Sequence, residues 1–150
     1  MKIAFCSSEV FPYAKTGGLG DVSAALPEAL AKAGVEVKVF MPLHKGIKPQ
    51  EMHDGFGLTR GGSIETFFIK HDQYFLRDSI YVGEDGNDYS DSLERFSYCS
   101  KEVLRVLKKI FQKTGQICRF LQERLLLKKE RRFGKLQNLF FLHPSVFQMI

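Results

Sequence analysis

No window of the 150-residue sequence approaches the roughly 18 apolar residues that a membrane-spanning helix needs, so no such span is expected. The opening apolar run, Ile3-Ala4-Phe5-Cys6, is too short for the core of a secretory signal, and only Lys2 precedes it. Cysteine is scarce. Cys6, Cys99 and Cys118 stand at scattered positions that make neither a disulfide framework nor a zinc site. Unpaired thiols suit a reducing compartment, where each acts as a small buried apolar side chain, so the cytoplasm is the expected location. Neither G-x-G-x-x-G nor a Walker loop occurs, and no metal site is expected. His53, His71 and Asp72 lack ligand spacing and read as satisfied surface residues. The acidic loop Gly83 to Asp91 lacks the residue order of a calcium loop.

What remains is a soluble α/β composition long enough for one domain with a core. The net charge is +5, but it is unevenly distributed. Of 22 Lys/Arg and 17 Asp/Glu, seven and two lie beyond position 113, which leaves 15 of each before it. The first 113 residues are therefore neutral and give no reason to expect nucleic acid as a partner.

Residues 2 to 6 read as a buried parallel strand. A helix is expected from Val22 to Ala33, with Val22, Ala25, Leu26, Ala29, Leu30 and Ala33 as its apolar face. Pro27 should bend it, and Gly34 should end it. Val35 to Pro42 continues as a second strand, which completes a right-handed βαβ unit. Leu43 to Glu51 reads as loop, with His44 and Lys45 as solvated residues that could alternatively touch a ligand. Short strands are expected over 56–58, 62–70 and 74–76, and a helix from Ser92 through Ile110.

Between the first strand and the first helix stands Lys15-Thr16-Gly17-Gly18-Leu19-Gly20-Asp21. A strand that empties through glycines into a helix N-terminus offers backbone N–H groups and a positive dipole to an anion. Lys15 adds a full charge. The plainer alternative is a tight β–α turn with Lys15 in solvent. Glu9 and Asp21 bracket the loop. Their expected roles are to bond loop N–H groups and to favour the helix start, rather than acid–base catalysis.

Residues Ser7 to Val22, which contain Lys15-Thr16-Gly17-Gly18-Leu19, closely resemble the N-terminal signature of bacterial glycogen synthases and plant starch synthases. Arg77-Asp78-Ser79-Ile80-Tyr81, Gly86 to Asp91 and Glu94-Arg95-Phe96 resemble a second block of the same family, although Ser92 stands where the family usually has Asn. The resemblance covers residues 1 to about 113. It implies a Rossmann-like parallel sheet in the incomplete N-terminal domain of a two-domain, GT-B type glycosyltransferase. It also implies transfer of glucose from ADP-glucose to the non-reducing end of an α-1,4-glucan, with no cofactor. Lys15, Gly17, Gly18 and Asp21 are the implied substrate-binding residues. No catalytic residue is assigned, because the second-domain groups on which the family relies lie beyond this sequence.

After Lys113 the implied histidine, Asp-Trp and Ile-His-Asn elements are missing, and the chain has no tryptophan. Residues 114–150 contain no aspartate and read as a basic, non-matching tail. An out-of-frame stretch is one expectation for it, and a basic amphipathic helix over 116–133 is another. The chain alone is accordingly expected to be an inactive fragment. The other open classes are a non-catalytic glucan or nucleotide-sugar binding module and an interaction module that uses the basic tail.

Overall fold

The computed structural model describes residues 2–112, so expectations for the tail and Cys118 lie outside the described residues. Five strands and three helices follow in the order β1 (Lys2–Cys6), α1 (Gly18–Lys32), β2 (Glu36–Pro42), β3 (Glu51–His53), β4 (Phe56–Gly61), β5 (Ile64–Ile69), α2 (Asp72–Phe75) and α3 (Ser92–Gln112). They form one sheet, ordered β1-β2-β5-β4-β3. β1, β2 and β5 run parallel, as the expected Rossmann-like half requires. The β3–β4 and β4–β5 pairs are antiparallel, so the sheet is mixed rather than wholly parallel. The short segments around Gly55 and Gly62, both at positive φ, permit these tight reversals.

Two apolar layers hold the sheet. On one face, Phe5, Val37, Val39, Met41 and Phe68 pack with Ala24 and Leu30 of α1. On the other, Cys6, Phe40, Phe67 and Ile69 pack with Val103, Val106 and Leu107 of α3. Successive strand residues point to opposite faces, which is why Phe5 and Cys6 serve different layers. Burial also pushes the Cys6 thiol up to about 12, so it stays a neutral packing group.

α1 contains the expected residues but turns a different face to the sheet. Val22 is 55% exposed and Leu26 38%, and Ala25, Ala29 and Ala33 are also exposed. Gly20, Ser23 and Pro27 are buried instead. The helix is thus rotated by roughly a third of a turn, at about 100° per residue, from the face its alanines and leucines suggested. Close approach explains the choice. The Ser23 hydroxyl lies 2.8 Å from that of Ser7, and a side chain at Gly20 would crowd the Lys15 stem. Small residues therefore take the inner side, where the strand exit lies close. The helix ends with paired bonds from Gly34 N–H to Ala31 O and from Val35 N–H to Leu30 O, with Gly34 at φ 83°.

Two other expectations change. Residues 74–76 do not form a strand, because Tyr74 and Phe75 belong to the short helix α2 and seat Phe75 in the core. His71 is half-buried rather than on the surface, stacked on Tyr74 with ring centroids 4.0 Å apart, and its Nδ1 has no partner.

Candidate substrate-binding loop

The three parallel strands end together. Ser7 N–H donates to Phe40 O at 3.0 Å, and Leu43 N–H donates to Ile69 O at 2.8 Å, so the chain leaves β1, β2 and β5 along one edge of the sheet. Parallel α/β sheets commonly place their ligands outside this carboxyl edge. The residues between β1 and α1 are anchored from behind: Tyr13 sets its ring edge against Phe68, with centroids 4.9 Å apart, and Phe11 N–H bonds Gly20 O. Lys15 is thereby brought to the helix start.

α1 begins at Gly18 with Gly17 as its N-cap, and no side chain caps it. A Cβ built on Gly17 or Gly18 would meet nothing within 4 Å. The space beside the helix start is therefore open on the side where these glycines lack a side chain, and an anionic or hydroxylated group could approach there. Lys15 Nζ lies 2.8 and 2.7 Å from the two oxygens of Asp21, and both side chains are exposed. All four residues expected to bind substrate (Lys15, Gly17, Gly18 and Asp21) thus stand within one exposed turn. Lys15 is paired rather than free in solvent.

Beneath the turn lies Glu9, only 2% exposed. Its Oε2 accepts Thr16 N–H at 2.6 Å and Gly17 N–H at 3.3 Å, while Oε1 accepts the Thr16 hydroxyl at 2.7 Å and the Tyr81 hydroxyl at 2.6 Å. A carboxylate offers about four lone-pair directions, and here four donors use them. Burial alone would raise the Glu9 carboxyl, but the bonds from Thr16, Tyr81 and Gly17 together hold it below the ordinary value. Glu9 is therefore a buried anion that shapes the loop, as the sequence suggested. Because its lone pairs are occupied, it is not placed to take a proton from a substrate. The Gly17 N–H points inward to Glu9 and is not offered to a ligand.

The wall behind Glu9 comes from parts of the chain that sequence reasoning treated separately. The Tyr81 hydroxyl also lies 2.6 Å from Ser8 Oγ. His44 Nε2 donates to Ser8 O at 2.8 Å and the ring is 6% exposed, so His44 is not the solvated loop residue expected. Burial lowers the His44 pKa and keeps the ring neutral. Lys45 does stay exposed, paired with Asp78.

The second family-like block organises this wall. Arg77 grips Asp91 through two bonds, at 2.9 and 2.5 Å. Arg77 and Arg95 both lie over the Tyr89 ring, at 4.5 and 5.0 Å from its centroid. Arg95 is fully buried, stands 4.6 Å from the centroid of Phe96 and bonds Ile80 O. Asp85 closes its own turn onto Asn87. Two of the acids of this loop, Asp85 and Asp91, are thus occupied in turn closure and in the Arg77 pair. Among the described residues no three His, Cys, Asp or Glu side chains converge as metal ligands, and no helix is long and apolar enough to cross a membrane.

Comparison with known proteins gives this geometry a family context. The starch synthase catalytic domain pattern matches residues 2–119. The glycogen synthase of Geotalea uraniireducens is 36% identical, over 99% of this chain and 36% of its own length. That of Syntrophotalea carbinolica is 37% identical over 73% of this chain, and that of Aquifex aeolicus 39% over 78%. The first alignment extends into residues 114–150, so the stretch is not wholly without similarity. The chain spans only about a third or less of the length of these relatives (36%, 26% and 27%). In three dimensions it is similar to the catalytic domain of starch synthase IV from Arabidopsis thaliana bound to ADP and acarbose. The TM-score is 0.52 and the identity 24%, over 76% of this chain and 25% of that one. The match places the five-stranded sheet in part of a GT-B architecture.

Proposed function

Because the chain belongs to the starch synthase catalytic domain family, we propose that it carries the first-domain side of a glucosyl-transfer cleft. In this reading glucose passes from ADP-glucose to the non-reducing end of an α-1,4-glucan, as in glycogen synthesis. The observation that carries it is the exposed turn at the carboxyl edge of β1, where Lys15 stands beside an uncapped helix start. Lys15 contacts the donor phosphate, which competes with Asp21 for its charge. The Gly18 end of the helix stabilises negative charge on the departing nucleotide, and bare Gly17 leaves room for it. That is electrostatic preorganisation, with the donors aimed before charge develops. Asp21 returns as a hydrogen-bond acceptor for the sugar or ribose.

A reactive pose needs groups on both sides of the bond being broken. We read residues 1–113 as a partial N-terminal domain and 114–150 as a basic tail whose boundary is a change of composition. On this reading the chain holds substrate weakly and does not turn it over. Neither metal nor cofactor has a role, and nucleic acid and membrane are not partners. The cytoplasm, where ADP-glucose and glucan meet, is the proposed compartment.

Isotope-labelled ADP-glucose supplied with glycogen tests the half-cleft. The 150-residue chain is expected to incorporate no label above a protein-free control. Incorporation that disappears in Lys15→Ala would mean that the chain completes a cleft, alone or as an oligomer.

A further inference from the structure

Glu9 meets the glycine loop through three bonds, and its fourth comes from Tyr81, 72 positions along the chain. The direction of that bond is determined by chemistry. An ionised carboxylate only accepts, so the Tyr81 hydroxyl donates to it, and Ser8 Oγ must then donate to Tyr81. Tyr81 is itself held from behind, since the buried Arg95 guanidinium bonds the carbonyl of Ile80, the residue before it. A continuous set of contacts thus runs from the start of α3, through Ile80 and Tyr81, to Glu9 and on to Thr16 and Gly17. Lys15 is the next residue in that loop, and its stem rests against Gly20.

We propose that Tyr81 is a positioning residue for the glycine loop, acting through Glu9 to fix where Lys15 and the helix start present themselves to a ligand. The proposal deepens the substrate-binding reading and rests on it for its ligand, but the mechanical coupling stands independently. Without the Tyr81 hydroxyl, Oε1 keeps one donor instead of two and Glu9 gains freedom to swing. The loop N–H groups then lose their fixed acceptor for part of the time. The sheet, whose layers contain neither Tyr81 nor Glu9, has no reason to respond.

Amide hydrogen exchange on the full 150-residue chain, with Tyr81→Phe beside the wild type, tests this without any ligand. The Thr16 amide is expected to exchange roughly tenfold faster in the variant, the lower end for a hydrogen bond to a charged group. Amides of Val39 and Phe40 in β2 should be unchanged. Unchanged exchange at Thr16 would overturn the proposal. So would an equal loss of protection in β2, because Tyr81 would then support the whole sheet and not the loop. A titration with ADP-glucose separates the positioning role of Tyr81 from the identity of the ligand. Weaker binding by Tyr81→Phe, by a similar factor, extends the coupling to the ligand. If the wild type does not bind ADP-glucose, the ligand assignment fails while the exchange result still decides the positioning role.

Discussion

Glu9→Ala is expected to lower the stability of the chain by about 3 kcal/mol and to release the Lys15 loop. The estimate follows from what the substitution strands. Two backbone N–H groups and two hydroxyls lose a charged acceptor whose own side chain is buried beneath the loop. Each unsatisfied buried group costs about 1–3 kcal/mol, and relaxation of an exposed loop recovers part of the sum. Urea denaturation at neutral pH measures the loss. The acid side of the profile gives a second signature. The folded Glu9 pKa lies below its unfolded value of 4.5, so its stabilisation is fully present above that pH. It disappears as pH falls through the depressed folded value, because the folded state must then take up a proton that its bonds oppose. Glu9→Ala should therefore flatten the wild type's loss of stability in that acid window. A destabilisation below about 1 kcal/mol at neutral pH, the scale of a single ordinary hydrogen bond, would remove Glu9 from the centre of the loop.

The other large effect is expected at Arg95. Arg95→Ala should cost about 3 kcal/mol, because it empties a fully buried site and removes contacts with the Tyr89 and Phe96 rings and the bond to Ile80 O. Burial, together with the nearby Arg77 charge, lowers the Arg95 pKa, so the cation itself is held at a cost. Arg95→Met keeps most of the volume and removes that cost, and it should lose less than half as much as Arg95→Ala. Paired thermal denaturation curves decide the matter. Equal losses would mean that the charge and its bond, and not packing, hold this corner.

The contrast between α1 and β1 explains how much of the fold was legible in the sequence. A continuous apolar run next to an α-pattern has few alternatives, so the β1-α1-β2 unit and the start of α3 at Ser92 could be read directly. The buried side of α1 could not. Alanines satisfy either face of a helix, and the choice was made by the Ser7–Ser23 contact and the close approach at Gly20, which involve residues far apart in sequence. The antiparallel β3–β4 pair was hidden for a similar reason: β3 is three exposed residues that gain their strand character only by pairing.

The same division holds for the site. Lys15, Gly17, Gly18 and Asp21 lie within the single stretch from Lys15 to Asp21, so the glycine pattern exposed them together. Glu9 was visible as a carboxylate beside the loop, and its bonding role was the expected one. Tyr81, His44 and Arg95 were not visible as its supports, because no local pattern says that residues so far along the chain will share a wall with it. The only signal was that the second family-like block contained Tyr81 and Arg95, which marked them as significant without saying what they touch.

On the proposed function, the Lys15 turn is where the chain meets a nucleotide sugar. Titration of the 150-residue chain with ADP-glucose, followed at the backbone amides of Gly18 and Leu19, tests it most directly when Lys15→Ala is run beside the wild type. The predicted result is saturable movement of those amides in the wild type and affinity at least about tenfold weaker in the variant, the effect of losing a charged hydrogen bond. Saturation that is identical in Lys15→Ala, or amide movements confined to another part of the sheet, would contradict it.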